Sequence, residues 1–311
     1  MTAGMGLIAT GRALKGGGAA TQERVAGEGT PDLQGMLMHH LSDGKEIELE
    51  ILGRGFVWHL PEWEPLHLGG LTLDLSPTKH VIFMLAAAVV LVAVLLPVAR
   101  ATRNKYTNRA PTGFANATEA MILFFRDEVV RRNIGHGADR YTPYILTLFF
   151  FVLAMNMAGL VPFGSTPTAN LSVTGALALV TFVVVEVSGM CALGFKGYMG
   201  TIFYAPPGMP KLGQAIMLVI LTPVEFLGKL TKPFALMIRL FANMTAGHTL
   251  VLALLGMIFM FSNLAFGKWA IAGASLGMVW GVMVLEVFVA FLQAYIFAML
   301  SAVFIGLIHQ H

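Results

Sequence analysis

One arginine stands where an arginine is costly. Arg239 follows the run Phe234, Ala235, Leu236, Met237, Ile238 and precedes Leu240 and Phe241, and a cation amid such neighbours costs about 2.5 to 3.5 kcal/mol on membrane-insertion scales unless it faces a partner, a protein interior or water. Its chemistry is that of a permanent positive charge, because a guanidinium stays protonated where an ammonium can lose its proton. A blander reading is an arginine that snorkels to the interface or pairs structurally with Glu225. At about 100° per residue, Glu225, Lys229, Lys232, Arg239 and Asn243 fall within about 40° of one direction, a polar stripe ~27 Å long on one helix. Glu225 precedes Lys229 by four, the favourable order for a helical ion pair.

A second set of polar residues lies further along. Between Trp269 and Ile308 the sole charge is Glu286, and Gln293 stands seven residues after it, about 20° away on the helical wheel. A turn near residue 266 places Arg239 level with Gln293 and His248 level with residues 284 to 286. An imidazole titrates near neutrality, so His248 beside Glu286 has the composition of a proton-passing pair. It also has that of a neutralising pair holding two helices together. Glu186, with Ser188 and Gly189 nearby, is a third acid in an apolar segment, either functional or the structural partner of a lysine in the stripe. Asn156 and Asn170 read as interhelical hydrogen-bonding or helix-start residues.

These residues sit in a chain of 311 residues that is 56% hydrophobic and 12% charged, about half the charge of an average soluble domain. Several apolar blocks reach the ~20 residues that cross a bilayer. The fold class expected is an all-α polytopic membrane protein with about five membrane-embedded helices plus an interfacial amphipathic helix. Residues 1–76 form an N-terminal extramembrane segment with a flexible start and a few small strands, at Ile47 to Leu52 and Leu71 to Leu75. Residues 77–311 form the membrane domain: a first span at 80–99, the interfacial helix at 114–134, spans at 143–163 and 171–193, and a hairpin at 212–308 whose two arms are too long to stand upright and must tilt strongly.

Charge sets the orientation and excludes other classes. Residues 1–76 hold ten acids and five bases, the remainder seven and fifteen. The bases beside apolar spans read as topology signals rather than a nucleic-acid footprint, which puts the N-terminus outside and the C-terminus in the cytoplasm. Cys191 is the only cysteine, so no thiolate metal site or disulfide forms within the chain. There is no HExxH and no phosphate-binding GxxxxGK[ST] loop. His39, His40, His59 and His67 lie among acids and read as solvated surface. No metal and no cofactor is expected. A self-contained secondary transporter needs an internal repeat, and none is present.

The run from Lys232 to His248, KPFALMIRLFANMTAGH, resembles subunit a of the rotary F-type ATP synthases, whose pattern is close to KPxxLxxRLFxNMxAG. Further matches are Asn156 to Pro162, Pro167 to Leu179, Pro223-Val224-Glu225 and Leu292 to Phe297, so the resemblance covers about Thr78 to Ile308. It implies a non-catalytic proton-channel subunit of a bacterial inner-membrane complex, with two aqueous half-channels beside a ring of c subunits, b-type peripheral stalk subunits and the remaining synthase subunits as partners. It implies that Arg239 faces the c ring and that Asn243, His248, Glu286 and Gln293 line or adjoin the proton path, with Glu225, Lys232 and Glu186 as secondary candidates. In many bacterial relatives the carboxylate stands at the position of His248 and the histidine at that of Glu286; here the two are exchanged. Glu186 and the long N-terminal segment are departures to which the family assigns no role.

Overall fold

A computed structural model describes residues 46–51, 54–61, 63, 66–68, 71–73, 76–104, 112–135, 137–160, 166–203, 210–261 and 267–309. The expected flexible start, His39, His40 and residues 262–266, where the turn is expected, lie outside them. The N-terminal segment contributes two antiparallel hairpins, β1 (Glu46–Ile51) with β2 (Arg54–His59) and β3 (Leu66–Leu68) with β4 (Leu71–Leu73). Glu46 pairs with His59 and Ile51 with Arg54.

Among the described residues after Ser76, the regular structure is helical. Helix α1 (Lys79–Asn104) is the most peripheral, with 6% of its apolar window buried within the chain. Val89, Val90 and Val92 point outward, as a lipid-facing stripe does. Helix α2 (Phe114–Phe124) runs through a π-helical stretch (Phe125–Arg131) into the short α3 (Arg132–Ile134). Its buried face is Phe125, Val129, Val130 and Ile134, whereas Phe114 is exposed at the first turn. The polar face is laced by ions: Arg131 donates to both oxygens of Asp139 at 2.9 Å and to Asp127 at 2.9 Å. The hydrogen bonds from Arg131 hold Asp139 below the usual carboxylate range, and those from Arg126, then Arg131, do the same for Asp127.

Four further helices follow: α4 (Thr142–Leu160), α5 (Leu171–Ile202), α6 (Lys211–Met260) and α7 (Gly267–His309). With α1 these are five helices long and apolar enough to cross a membrane, so the chain is a multi-pass membrane protein with an all-α membrane region, preceded by two small hairpins. Asn170 caps α5 by accepting from the Ser172 amide at 2.8 Å. The helical path of α5 breaks at Gly194, whose φ of 69° and ψ of 161° no β-carbon residue adopts readily. The remainder of α5 therefore changes direction, and Tyr198 is carried back over Gly189.

Helices α6 and α7 form the hairpin. Their 50 and 43 residues extend about 75 and 65 Å, twice the ~30 Å hydrocarbon thickness, so they cross it strongly tilted. Without a hydrophobic driving force inside lipid, helices need close backbone approach to associate. Helix α7 supplies it through Ala290, Ala294, Ala298 and Ala302, all fully buried at four-residue spacing, and through Gly306 in the next turn. A β-carbon at Gly306 would collide with the Asn133 carbonyl, so this glycine is what lets the end of α3 rest on α7. The core joins that stripe to Phe125 and Val129 and to Ile145, Phe149, Val152 and Met155 of α4.

Candidate functional site

The polar side chains of α6 fall into three groups along its length. The first group is Glu225, Lys229 and Lys232. They line a cavity of about 780 Å³ with Glu186 and Thr181 of α5, walled on the far side by Phe304, Leu307 and Ile308 of α7. Lys229 does not pair with Glu225 as its spacing suggests. Its Nζ donates to the Tyr198 hydroxyl at 2.9 Å, lies 4.2 Å from the centroid of that ring, and stands 3.9 Å from the Glu186 carboxylate. The physical reason is solvation: an exposed i,i+4 pair is worth only about 0.3 to 0.5 kcal/mol, whereas a half-buried ammonium gains more from partners that replace lost water. Glu225 is left exposed at the cavity wall. Lys232 reaches over the Phe304 ring at 5.3 Å.

The second group is Arg239 with Asn243, about 10 Å beyond Lys232 along the axis. Asn243 Nδ2 donates to Gln293 Oε1 at 2.9 Å, bridging α6 and α7. Gln293 is buried, which ties the amide pair to one geometry. Arg239 is exposed, and among the described residues it has neither an ion pair nor a hydrogen bond. Leu236 and Leu240 on its flanks are buried in the core, so the helix cannot rotate to hide the guanidinium without exposing them. Its charge is displayed on the outer surface of the bundle.

The third group lies ~14 Å further on. The Glu286 carboxyl rests on the bare backbone of Gly247, where a β-carbon would overlap Oε1 and stand 2.9 Å from Cδ. Glu286 is 9% exposed, and its Oε2 has no hydrogen-bond partner among the described residues. His248 is next in the chain, but its Nε2 hydrogen-bonds the Thr166 hydroxyl and no ion pair joins its ring to Glu286. The hairpin thus brings the two residues to one depth without a direct bond. Thr166 belongs to the connection before the 3-10 turn Pro167–Ala169 and wedges against Gly159 of α4. Behind it, Thr168 donates to Asn156 Oδ1 at 2.8 Å, and Asn156 Nδ2 donates to the Ala290 carbonyl at 3.3 Å. Asn156 therefore bridges helices, as its amide in an apolar segment suggests.

Thr166, Thr168 and Tyr198 have no distinguishing pattern in the sequence. The proline at Pro167 and the invitation to a kink at Gly194 are the only local signals beside them. Among the described residues no three His, Cys, Asp or Glu side chains gather into a metal site. The arrangement offers titratable groups on both sides of a fixed, unpaired cation, which suits passage of protons rather than covalent chemistry.

The family model described as ATP synthase A chain matches residues 81–306. An ATP synthase subunit a from Chloroherpeton thalassium is 42% identical over 274 residues, covering 88% of this chain and 76% of the relative. One from Anaeromyxobacter dehalogenans strain 2CP-C is 45% identical over 305 residues, covering 94% and 76%. A protein of Chlorobaculum tepidum named ATP synthase subunit a 2 is 40% identical over 294 residues, covering 94% and 77%. With that match across nearly all of the helical region, the chain belongs to the ATP synthase A chain family.

Proposed function

We propose that this chain is the non-catalytic proton-channel subunit of a rotary ATP synthase in a bacterial inner membrane, with Arg239 directed at a ring of c subunits. The carrying observation is that Arg239, alone among the polar residues of its stripe beyond Glu225, is displayed without a partner among the described residues. A cation kept unpaired in an apolar setting is costly unless a carboxylate arrives from outside. In this reading a proton enters past Asn243, Gln293, His248 and Glu286, neutralises a carboxylate of a c subunit, rides with it through lipid, and is released toward the cavity lined by Glu186, Glu225, Lys229 and Lys232. Arg239 attracts the ionised carboxylate and repels a proton that would cross directly between the two half-channels. ATP chemistry belongs to other subunits, and b-type stalk subunits hold this one against rotation.

The reading orients the N-terminus outside and the C-terminus in the cytoplasm, so that the Lys229 cavity opens to the cytoplasm. Labelling of single cysteines at positions 20 and 310 from either face tests this; equal labelling from one face contradicts it. The function is tested by Arg239→Ala in vesicles with confirmed complex assembly. Synthesis of ATP under an imposed proton gradient is expected to vanish, with Arg239→Lys rescuing poorly because an ammonium is a compact point charge with an adjustable proton affinity. Near-normal coupled synthesis in the alanine variant overturns the proposal.

A further inference from the structure

Two acids and two bases share the cavity beside α6, and the motif around Arg239 contains only one of the four, Lys232. Of the others, Glu186 and Lys229 are bound to each other by position. Their side chains are 18% and 11% exposed and their charges stand 3.9 Å apart. Two features built into the backbone hold them there. The break at Gly194 returns Tyr198 to lie over Gly189, and the Tyr198 hydroxyl then accepts a hydrogen bond from Lys229 Nζ. Tyr198 is 3% exposed, so the lysine is anchored by a group that is itself immobile. The polar groups around the pair are Glu225 and Lys232 of α6 and Thr181 and Thr201 of α5, with only apolar side chains of α7.

We infer that Glu186 is a positioning residue that neutralises Lys229, so that the cavity next to Arg239 carries no net positive charge and admits a departing proton. The inference rests on the proposed proton-channel function and adds to it a role for an acid outside the motif. The reasoning is electrostatic. Lys229 is ~15 Å from Arg239 along the helix and Lys232 is nearer still. A cavity holding both ammonium groups and a single exposed acid would present an excess cation to a proton leaving the ring. In a partly dry chamber that charge is poorly screened. Glu186 removes the excess where it arises, and Tyr198 turns the amine toward α5 and out of the cavity's middle.

Charge exchange in the assembled complex tests this, with variants Glu186→Gln, Lys229→Gln, the double glutamine variant and the swap Glu186→Lys with Lys229→Glu. Two quantities are read in vesicles: ATP synthesis under an imposed gradient, and passive proton conductance after the peripheral catalytic sector is stripped off. Glu186→Gln is expected to lower both by about tenfold, as one uncompensated charge in a poorly screened site does. The double glutamine variant is expected to recover to within about twofold of the parent, because it removes the excess cation with its partner. The swap should recover in part. Normal conductance in Glu186→Gln overturns the inference, and so does a double variant as impaired as the single one, which marks a purely structural pair. Arg239→Ala, measured in parallel, separates the levels: if it also synthesises normally, the proton-channel reading itself fails; if it is inactive while Glu186→Gln is normal, only the present inference does.

Discussion

Gly247→Ala is the sharpest probe of how the two arms of the hairpin meet. The added methyl would overlap Glu286 Oε1 and lie 2.9 Å from Cδ and 3.2 Å from Cγ, inside ordinary carbon contact. Helix α6 cannot yield easily, since Leu240, Met244 and Leu254 hold that face in the core and Ser275 donates a hydrogen bond to the Leu254 carbonyl. The carboxyl, at the far end of a flexible side chain, must move instead. Overpacking of this kind costs about 1 to 3 kcal/mol, offset in part by the ~1 kcal/mol that alanine gains over glycine in a helix. The complex should therefore assemble. If Glu286 passes protons from the position described, displacement corresponds to losing the working geometry by roughly 1 to 2 kcal/mol, or about 5- to 30-fold in conductance.

The assay is passive proton conductance of stripped vesicles, normalised to the amount of assembled complex. Shortening the acid provides the control. In Gly247→Ala combined with Glu286→Asp, the carboxyl withdraws by one methylene and the overlap disappears, so conductance should rise above that of Gly247→Ala alone. Full conductance in Gly247→Ala, with assembly unchanged, refutes the claim that the Glu286 carboxyl works against that backbone. A slow single variant that aspartate does not improve refutes the steric account.

Other consequences are equally direct. Thr166→Val removes the hydroxyl that holds His248 Nε2 and should slow conductance and shift its pH profile, whereas Thr166→Ser should preserve both; identical profiles for Val and Ser would contradict a role in holding the ring. The Asn243–Gln293 hydrogen bond predicts a coupling of about 0.6 kcal/mol between alanine substitutions in a double-mutant cycle of unfolding in detergent, the average for such bonds in membranes; zero coupling would mean the bridge does not form. Asp139 and Asp127 have their pKa depressed by arginine partners. Their stabilisation is thus present above the ordinary carboxylate pKa and lost as pH falls through the depressed one, so the protection of amides over residues 125–140, taken relative to their intrinsic exchange rate at each pH, should be flat from pH 7 to about 5 and fall below about 4.

How much of this could be read in advance depended on whether neighbours were set by helical period or by chain reversal. The long arms were legible because their charges are few, one in 269–308 and a stripe on a single face of α6, so the apolar run continues past them, and a uniform rise of 1.5 Å per residue then converts residue number into depth. That conversion put His248 level with residues 284 to 286, and Glu286 indeed lies against Gly247. It put Arg239 level with Gln293, whose amide bonds to Asn243, one turn further along α6. Thr166 was invisible, because its partner is 82 residues away, across a connection with no periodicity. Lys229 misled because an i,i+4 rule sees only its own helix, while Gly194 delivers Tyr198 from another.

The same contrast explains why periodicity alone could not single out a site within the α6 stripe. On the helical wheel Lys229, Lys232, Arg239 and Asn243 are equivalent, five polar or charged residues with Glu225 in one direction. Packing distinguishes them by what it supplies. Lys229 receives a hydroxyl, an aromatic face and a carboxylate; Lys232 receives the face of Phe304; Asn243 receives Gln293. Arg239 receives nothing from the described residues, though it carries the charge that is hardest to neutralise by losing a proton. Under the proposed function, that displayed charge among apolar neighbours is the one that an anionic group of another chain meets at the level of the bilayer.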